Sequence, residues 1–370
     1  MIYRTRAEQG LLVLNFDAEG YYAVDDHMNA LDAYGEKDKL YVKVDSPTKY
    51  VYLIKFKKKG YPKDDVFMGN SGTLTSVQGE INGIEKVGYN EVEIRNFRGI
   101  EYGNLHLDKI NVIIGNAGKT TILDALYLLS DPYQKPPGFK NSLELLSYLH
   151  NVKKGNKFLY RFYNTEVSPR IKGDEIEVDV SEIFSKSEEG RKEIKTLYMS
   201  YRLIPRYLKF IKENWEEISN YTEIFREIFD EVNEISNEEY LTMSLEPFAG
   251  EYTFYLIRKD GKRVRLNDIG EGVRIFIVNR ILYEYLKPGL LLWDDIEAHL
   301  NPALLGKITA WFTDIPSQVV VTTHNLYVAY EISKDGKCIA VDLKNGQLKV
   351  KEIEDLKRYL DAGIDPRKIV

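Results

Sequence analysis

The chain has 370 residues, of which 44% are hydrophobic and 29% charged, the balance of an ordinary globular protein with two or three domains. The formal net charge of −6 excludes a global basic field that would hold nucleic acid. The single cysteine, Cys338, excludes an intramolecular disulfide and a cysteine metal cluster. The N-terminus lacks an apolar signal segment, and no apolar run approaches the ~20 residues that span a bilayer. We therefore expect a cytoplasmic protein with no membrane segment.

Residues 1–60 are predicted to form a β-rich N-terminal domain. Short runs of apolar, β-branched or aromatic residues at 11–14, 40–44 and 50–54 are separated by polar turns. Residues 61–88 are richer in Gly, Ser, Thr and Pro, which predicts a linker. The basic run at 55–59 is typical of a solvated strand edge, and a DNA-binding surface is its alternative interpretation.

The rest of the chain alternates between strand and helix patterns. Residues 91–94 and 110–114 are predicted strands, 121–129 a helix, 156–180 strands, and 182–238 a helical insertion broken at Pro205. Asp260-Gly261 and Asn345-Gly346 each lie between two strand-like runs and predict hairpins.

Three apolar strands end in polar groups that suit a nucleotide. Residues 110–114 lead into the run Gly115, Asn116, Ala117, Gly118, Lys119, Thr120, Thr121. Residues 290–293 lead into Asp294 and Asp295, and residues 318–321 into Thr322, Thr323 and His324. Ligands bind at the carboxyl ends of strands in α/β sheets, so these groups converge if the strands are neighbours.

Each of these groups has a task in binding and hydrolysing a nucleoside triphosphate. Backbone N–H groups of the loop hold phosphate oxygens, and Lys119 neutralises the β- and γ-phosphates. Thr120 and Asp294 hold Mg²⁺, Asp295 polarises the attacking water, and His324 contacts the γ-phosphate. Taken singly, the same groups suit a turn before a helix, a helix cap and a structural histidine. Their common order along the chain favours the nucleotide site.

With these motifs, the segment from Val92 to Leu129 resembles the first segment of SMC-like and RecF-like ATPase heads, which are ABC-type ATPases. Residues 265–274 resemble their signature segment, in a variant form near the OLD family. Residues 289–302 resemble the Walker B motif and D-loop, and 319–325 the switch-histidine segment. The resemblance implies an α/β fold, a P-loop ABC-type ATPase head over 89–370 with a mixed sheet core and a helical subdomain. Residues after His324 are too few for the OLD-type nuclease domain, which we expect to be absent.

The resemblance also implies cofactors, partners and further site residues. ATP with Mg²⁺ would be sandwiched in a homodimer. Asn267, Gly270, Glu271 and Gly272 would reach the partner's γ-phosphate, and Asn301 would be the polar residue of the D-loop. The expected function is a slowly hydrolysing conformational switch that acts on DNA or a partner protein, in DNA maintenance or defence.

Three departures from the family pattern leave a second function open. The loop between Gly115 and Gly118 is two residues short. Asp295 stands where Glu is usual, so its carboxylate retreats by roughly 1.5 Å, one C–C bond. Asn267 replaces a usual Ser, and Gln134 follows the first helix too closely to be the Q-loop glutamine. The alternative is therefore a degenerate, non-hydrolysing head that serves as an interaction or regulatory module.

Overall fold

The computed structural model describes residues 2–6, 10–15, 21–25, 30–36, 39–44, 50–55, 85–130, 132–183 and 194–370. The first strands are β1 (Ile2–Arg6), β2 (Gly10–Asn15), β3 (Tyr21–Val24), β4 (Ala30–Leu31), β5 (Ala33–Glu36), β6 (Lys39–Val44), β7 (Tyr50–Lys55) and β8 (Glu85–Gly88). Then come β9 (Glu91–Phe97), β10 (Ile100–His106), β11 (Ile110–Gly115), α1 (Lys119–Ser130), α2 (Ser142–Leu149), β12 (Arg170–Gly173), β13 (Ile176–Asp179) and α3 (Val180–Ile183).

The second half begins with β14 (Thr196–Met199), α4 (Ile204–Glu213), α5 (Trp215–Ile218), α6 (Thr222–Ser236), β15 (Tyr240–Phe248), β16 (Glu251–Arg258) and β17 (Arg263–Arg265). It ends with α7 (Glu271–Leu286), β18 (Leu290–Trp293), α8 (Pro302–Asp314), β19 (Gln318–Thr322), α9 (Leu326–Ser333), β20 (Lys337–Lys344), β21 (Gln347–Ile353), α10 (Leu356–Asp361) and a 3₁₀ turn at Pro366–Ile369. No helix in the described ranges is long and apolar enough to cross a membrane.

The N-terminal strands form two small antiparallel sheets, in the orders β4-β3-β7-β1-β8 and β2-β6-β5. The predicted strands at 11–14, 40–44 and 50–54 are confirmed as parts of β2, β6 and β7. Strand β8 lies within the stretch predicted as a linker, yet it pairs with β1. Apart from the backbone of Lys55, the basic run at 55–59 lies outside the described residues, and so do residues 61–84 of the predicted linker.

The N-terminal sheet that contains β7 and β8 meets the head at the amino ends of its parallel strands. Gln318, the first residue of β19, accepts a hydrogen bond from the Tyr89 N–H (2.9 Å) through its side-chain oxygen. The ammonium group of Lys109, just before β11, lies 5.2 Å from the centre of the Tyr52 ring. This N-terminal sheet thus lies at the opposite end of the parallel strands from the predicted nucleotide site.

A ten-stranded mixed sheet forms the centre of the head, in the order β13-β12-β9-β10-β21-β20-β11-β19-β18-β14. Strands β20, β11, β19, β18 and β14 run parallel to their neighbours in this series. Strands β11, β14, β18 and β19 are buried along their whole length, as expected for parallel strands covered by helices on both faces. The predicted α/β fold with a mixed sheet core is confirmed.

The helical insertion predicted over 182–238 is wrong at its start. Thr196–Met199 is the buried edge strand β14, and the continuous helical part runs from α4 to α6. Pro205 does not break a helix but lies in the first turn of α4, where its missing N–H leaves no hydrogen bond unmade. Four residues carry too little periodicity to separate a strand from a helix.

Both predicted hairpins are confirmed. The Asp260-Gly261 turn joins β16 to β17, and the Asn345-Gly346 turn joins β20 to β21. Asn345 and Gly346 have φ values of 51° and 82°, the two left-handed positions that a type I′ turn requires. The second hairpin contains β20, which pairs with β11 and so lies next to the phosphate loop.

Candidate functional site

The predicted phosphate loop joins β11 to α1 in a three-residue bend, Asn116–Gly118. Gly115 lies against β20, and a Cβ atom there would stand 2.0 Å from the carbonyl oxygen of Val341. Gly118 has a φ of 92°, which side chains disfavour. Helix α1 begins directly at Lys119, so its first free N–H groups follow the bend, and Thr121 is half-buried in that turn. The short loop therefore keeps the N-terminus of α1 at the carboxyl ends of the parallel strands.

Lys119 is buried, with 6% of its surface exposed. Its ammonium group donates a hydrogen bond to the Gly115 carbonyl oxygen at 2.9 Å and lies 3.1 Å from Nε2 of His324. Burial lowers the pKa of Lys119, and the nearby carboxylates of Asp295, Asp294 and Glu297 oppose that shift. The charge of Lys119 is thus held inside the loop, next to the predicted switch histidine.

Thr120 and Asp294, the two residues predicted to hold Mg²⁺, are in contact with each other. The Thr120 hydroxyl donates to the two carboxylate oxygens of Asp294 at 3.1 and 3.2 Å. Adjacent oxygens in an octahedral Mg²⁺ shell are about 3.0 Å apart, so this spacing fits the ion. In the described part of the chain, no group of three or more His, Cys, Asp or Glu could hold a metal. Mg²⁺ nevertheless fits, because it binds through one or two protein oxygens together with substrate phosphates.

The Asp294 carboxyl group has a raised pKa. Removal from water raises this pKa to about 6, and the charges of Asp295 and Asp124 add to the shift. Hydrogen bonds from Thr322, at 2.7 Å, and from Thr120 oppose it by favouring the carboxylate. A divalent cation bound here would place a positive charge beside the Asp294 carboxylate and so favour its ionised form.

Asp295 and His324 occupy the ends of β18 and β19. Asp295 has a φ of 50°, and its N–H donates to the Thr322 hydroxyl oxygen at 2.9 Å. Its Oδ1 lies 3.8 Å from Nε2 of His324. The structure therefore brings the phosphate loop, both carboxylates and the histidine to one point, because β11, β19 and β18 are adjacent and parallel.

The predicted signature residues lie at and just before the start of α7. Asn267, Gly270 and Glu271 are exposed, whereas Gly272 is buried. Glu271 accepts a hydrogen bond from Arg274 at 2.8 Å and lies 3.5 Å from Nδ1 of His299.

The start of α7 packs on the segment after Asp295. A Cβ on Gly272 would stand 2.4 Å from the carbonyl oxygen of His299. In the same segment, the side chain of Asn301 accepts from the Leu304 N–H at 2.9 Å and caps α8. The signature and D-loop residues thus form one packed unit with an exposed face.

The end of β14 contributes residues that the sequence interpretation missed. Ser200, Tyr201 and Arg202 follow this strand beside Asp294, whose N–H donates to the Met199 carbonyl at 2.9 Å. A hydrogen bond to Tyr201 and the charges of Asp294 and Asp295 raise the pKa of Arg202. The sequence did carry a signal for this strand, because residues 196–199 form a fourth short run that ends in polar side chains. The run lies within the stretch predicted to be helical.

Gln134 has a structural role at the other end of β14. Its amide nitrogen donates to the Thr196 carbonyl oxygen at 2.6 Å, and its amide oxygen accepts from the Thr196 N–H at 3.0 Å. This contact lies at the first residue of β14, at the opposite end of the strand from Asp294. The position agrees with the expectation that Gln134 is not the Q-loop glutamine.

A buried carboxylate next to the site was also missed. Asp124, on α1, is fully buried and binds Arg98, Nε2 of His150 (2.8 Å) and the Tyr198 hydroxyl (3.3 Å). Arg98 belongs to the turn between β9 and β10 and has a φ of 53°. This network ties the β9–β10 turn to the helix that carries Lys119 and Thr120.

Together, the mixed sheet, the phosphate loop and the strand-end carboxylates define a P-loop ATPase head of the ABC type. Residues 110–329 match the family described as "AAA domain, putative AbiEii toxin, Type IV TA system". The chain belongs to this family, and the predicted class of SMC- and RecF-like ATPase head is confirmed.

Solved structures with a similar fold include several heads of low sequence identity. An SMC head bound to the C-terminal winged-helix domain of ScpA is 15% identical, with coverage of 72% of this chain and 98% of that chain and a TM-score of 0.45. The SMC head from Thermotoga maritima is 11% identical, with 72% and 99% coverage and a TM-score of 0.40. The recombination mediator RecF is 13% identical, with 72% and 98% coverage and a TM-score of 0.41. No curated protein matches the chain.

Proposed function

We propose that this chain binds ATP with Mg²⁺, hydrolyses it slowly, and forms a dimer around it that acts as a conformational switch. The observation that carries the proposal is the contact between the Thr120 hydroxyl and the Asp294 carboxylate at 3.1 Å, with the buried Lys119 in the same loop. These three residue types at the end of adjacent parallel strands are the protein's share of a triphosphate site.

Each residue of the loop has a defined task in this proposal. The N-terminus of α1 binds phosphate oxygens through free N–H groups. Lys119 exchanges its contact with the Gly115 carbonyl for phosphate oxygens, and Thr120 and Asp294 hold the metal ion. Mg²⁺ supplies charge neutralisation and orients the phosphates. Asp295 accepts a hydrogen bond from the attacking water, and His324 contacts the γ-phosphate.

Two features support slow rather than fast hydrolysis. The phosphate loop has two residues fewer than the usual spacing between its glycines, so fewer backbone N–H groups surround the β-phosphate. Asp295 is shorter than the usual glutamate, and a displacement of about 1 Å at a reacting group costs roughly 100-fold in rate.

The dimer and switch parts of the proposal rest on the exposed start of α7. Asn267, Gly270 and Glu271 are exposed and so can meet the phosphate loop of a second copy. The adjacent, buried Gly272 packs against the segment after Asp295. Dimer closure and the state of the nucleotide would therefore act on the same packed unit. We propose that this switch acts on DNA or on a partner protein, in DNA maintenance or defence, as in an OLD-like ATPase.

Calorimetry and light scattering test the proposal. ATP with Mg²⁺ should bind the wild type and double its mass, whereas Lys119→Ala should abolish both effects. Lys209→Ala, which removes an exposed lysine on α4, is the matched control and should behave as wild type. Binding that doubles the mass only when Lys119 is present supports the switch.

The alternative function is a degenerate head that serves as an interaction or regulatory module. It is favoured by one observation: the ammonium group of Lys119 already has partners in Gly115 and His324, so the short loop is satisfied without phosphate. Absence of binding by the folded wild type at about 1 mM ATP, the top of the usual range for substrates, supports this alternative.

A further inference from the structure

The peptide groups on both sides of the His324 side chain are held by charged residues from distant parts of the chain. The His324 N–H donates to Oε1 of Glu297 at 2.7 Å. The His324 carbonyl oxygen accepts from Nη1 of Arg367 at 3.1 Å. Hydrogen bonds to ionised partners are about twice as strong as neutral ones, so this pair fixes the loop after β19 more firmly than loop contacts usually do.

Arg367 is itself held in one orientation. Its Nε and Nη2 atoms donate to the two oxygens of Asp365 at 2.9 and 2.8 Å. Asp365 also accepts from the Arg367 N–H at 3.0 Å and so begins the final 3₁₀ turn, in which Pro366 is buried. With the fork engaged by Asp365, the remaining edge of the guanidinium group is directed at His324.

Only one carboxylate oxygen of Glu297, Oε1, takes part in the contact with the His324 N–H. In the described part of the chain, Oε2 is buried and has no hydrogen-bond partner. The charge of Glu297 is near enough to Lys119 to oppose the fall in that residue's pKa. A buried carboxylate oxygen left unpaired is costly, which argues that the position serves the site rather than stability.

We propose that Glu297 and Arg367 are positioning residues that together hold the His324 peptide and set where its imidazole meets the γ-phosphate. The role in hydrolysis rests on the proposed function. Neither residue touches the nucleotide in this scheme: each acts through the backbone of His324. Asp295 and His324 remain the groups that face the reacting phosphate.

The contact between Glu297 and His324 also links the proposed nucleotide site to the exposed start of α7, where the second copy would bind. Glu297 is two residues before His299, whose carbonyl oxygen closes on Gly272 at the start of α7. A movement of His324 on loss of the γ-phosphate therefore displaces Glu297, and through it the segment on which the signature residues rest. The Glu297 side chain connects the loop after β19 directly to this segment.

Conservative and disruptive substitutions at Glu297 separate positioning from direct chemistry. Glu297→Gln keeps an Oε1 acceptor for the His324 N–H, so its kcat should stay within about threefold of wild type. Glu297→Ala removes the acceptor, so kcat should fall by about 10-fold or more while the Kd for ATP changes little. An equal loss in Glu297→Gln and Glu297→Ala would overturn the positioning role, because the charge itself would then be required.

Arg367 has a matched control in the next residue. Arg367→Ala should reduce kcat and Arg367→Lys should restore part of it, whereas Lys368→Ala should leave kcat unchanged because Lys368 is exposed. The Glu297→Ala and Arg367→Ala variants should combine less than additively, because both release the same peptide. Full additivity would overturn the idea that they act as one unit.

Hydrogen exchange of the His324 amide tests the inference without nucleotide. The amide should exchange at least about 10-fold faster in Glu297→Ala than in wild type and should remain protected in Glu297→Gln. Unchanged protection in Glu297→Ala would overturn the proposed contact. If wild type failed to hydrolyse ATP but its amide behaved as expected, the proposed function would fail and the positioning contact would stand.

Discussion

The ammonium nitrogen of Lys119 lies 3.1 Å from Nε2 of His324, a residue 205 positions further along the chain. A lysine ammonium group only donates hydrogen bonds, so the imidazole ring would be the acceptor in this contact. The two groups proposed to contact the γ-phosphate therefore lie against each other. In the proposed function, a bound triphosphate would replace this contact, which joins the phosphate loop to the loop after β19.

Restoring the usual loop length should strengthen nucleotide binding. Insertion of two glycines between Asn116 and Ala117 gives back the four-residue spacing and the missing backbone donors. We expect ATP to bind about 10-fold more tightly, a gain of ~1.4 kcal/mol, measured by calorimetry. The same insertion with Lys119→Ala should show no gain. Unchanged affinity in the lengthened loop would mean that the short loop is already complete.

Lengthening the second carboxylate should raise turnover. Asp295→Glu extends the side chain toward the attacking water, and we expect kcat to rise about 10-fold with little change in KM, measured by phosphate release. Asp295→Asn, which keeps the size but removes the charge, should fall below wild type. If Asp295→Glu were slower than wild type, the backbone at this position, with its φ of 50°, would place the longer group wrongly.

The raised pKa of Asp294 makes the metal-free protein sensitive to pH. The folded-state pKa is about 6, against an ordinary value of 3.8, so the folded state holds this proton more tightly than the unfolded chain. Stability should therefore fall as pH rises from about 4 to 6, by on the order of 2 to 3 kcal/mol, and then level off. Urea unfolding in EDTA should show this fall in wild type and a smaller one in Asp294→Asn. Identical pH profiles would contradict the shift.

Added Mg²⁺ together with ATP should reverse this effect above pH 6. Mg²⁺ binds the carboxylate form of Asp294, so the ion and its nucleotide should stabilise wild type more at pH 7.5 than at pH 5. Asp294→Asn should gain less at both pH values. Thermal unfolding with and without the pair provides the measurement.

Two glycines at the start of α7 provide a matched pair of substitutions. Gly272→Ala places a Cβ 2.4 Å from the His299 carbonyl oxygen and should destabilise the fold by about 1–3 kcal/mol. Gly270→Ala meets no atom within 4 Å, so stability should stay within ~0.5 kcal/mol. The exposed Gly270 would face the partner, so Gly270→Ala should weaken ATP-dependent mass doubling. Doubling at wild-type ATP concentrations would argue against a signature contact at this position.

Much of the site was readable from short stretches of sequence. The buried run before Gly115, the residue order Lys119-Thr120, and the pair Asp294-Asp295 after an apolar strand are each local patterns with one chemical task. The hairpin at Asn345-Gly346 is equally local, because two adjacent left-handed residues decide it. Such features depend on neighbours along the chain, so their spacing is enough to predict them.

Other features were decided by the tertiary structure alone. Strand β14 is four residues long and is a strand because it pairs with β18, not because of its own periodicity. Glu297 and Arg367 reach His324 across 27 and 43 residues, and neither lies in a recognisable spacing to it. Contacts of this kind depend on the order of strands in the sheet and on where the last 3₁₀ turn packs. The sequence by itself determined which groups end the strands, and only the folded chain decided which charged side chains hold them in place.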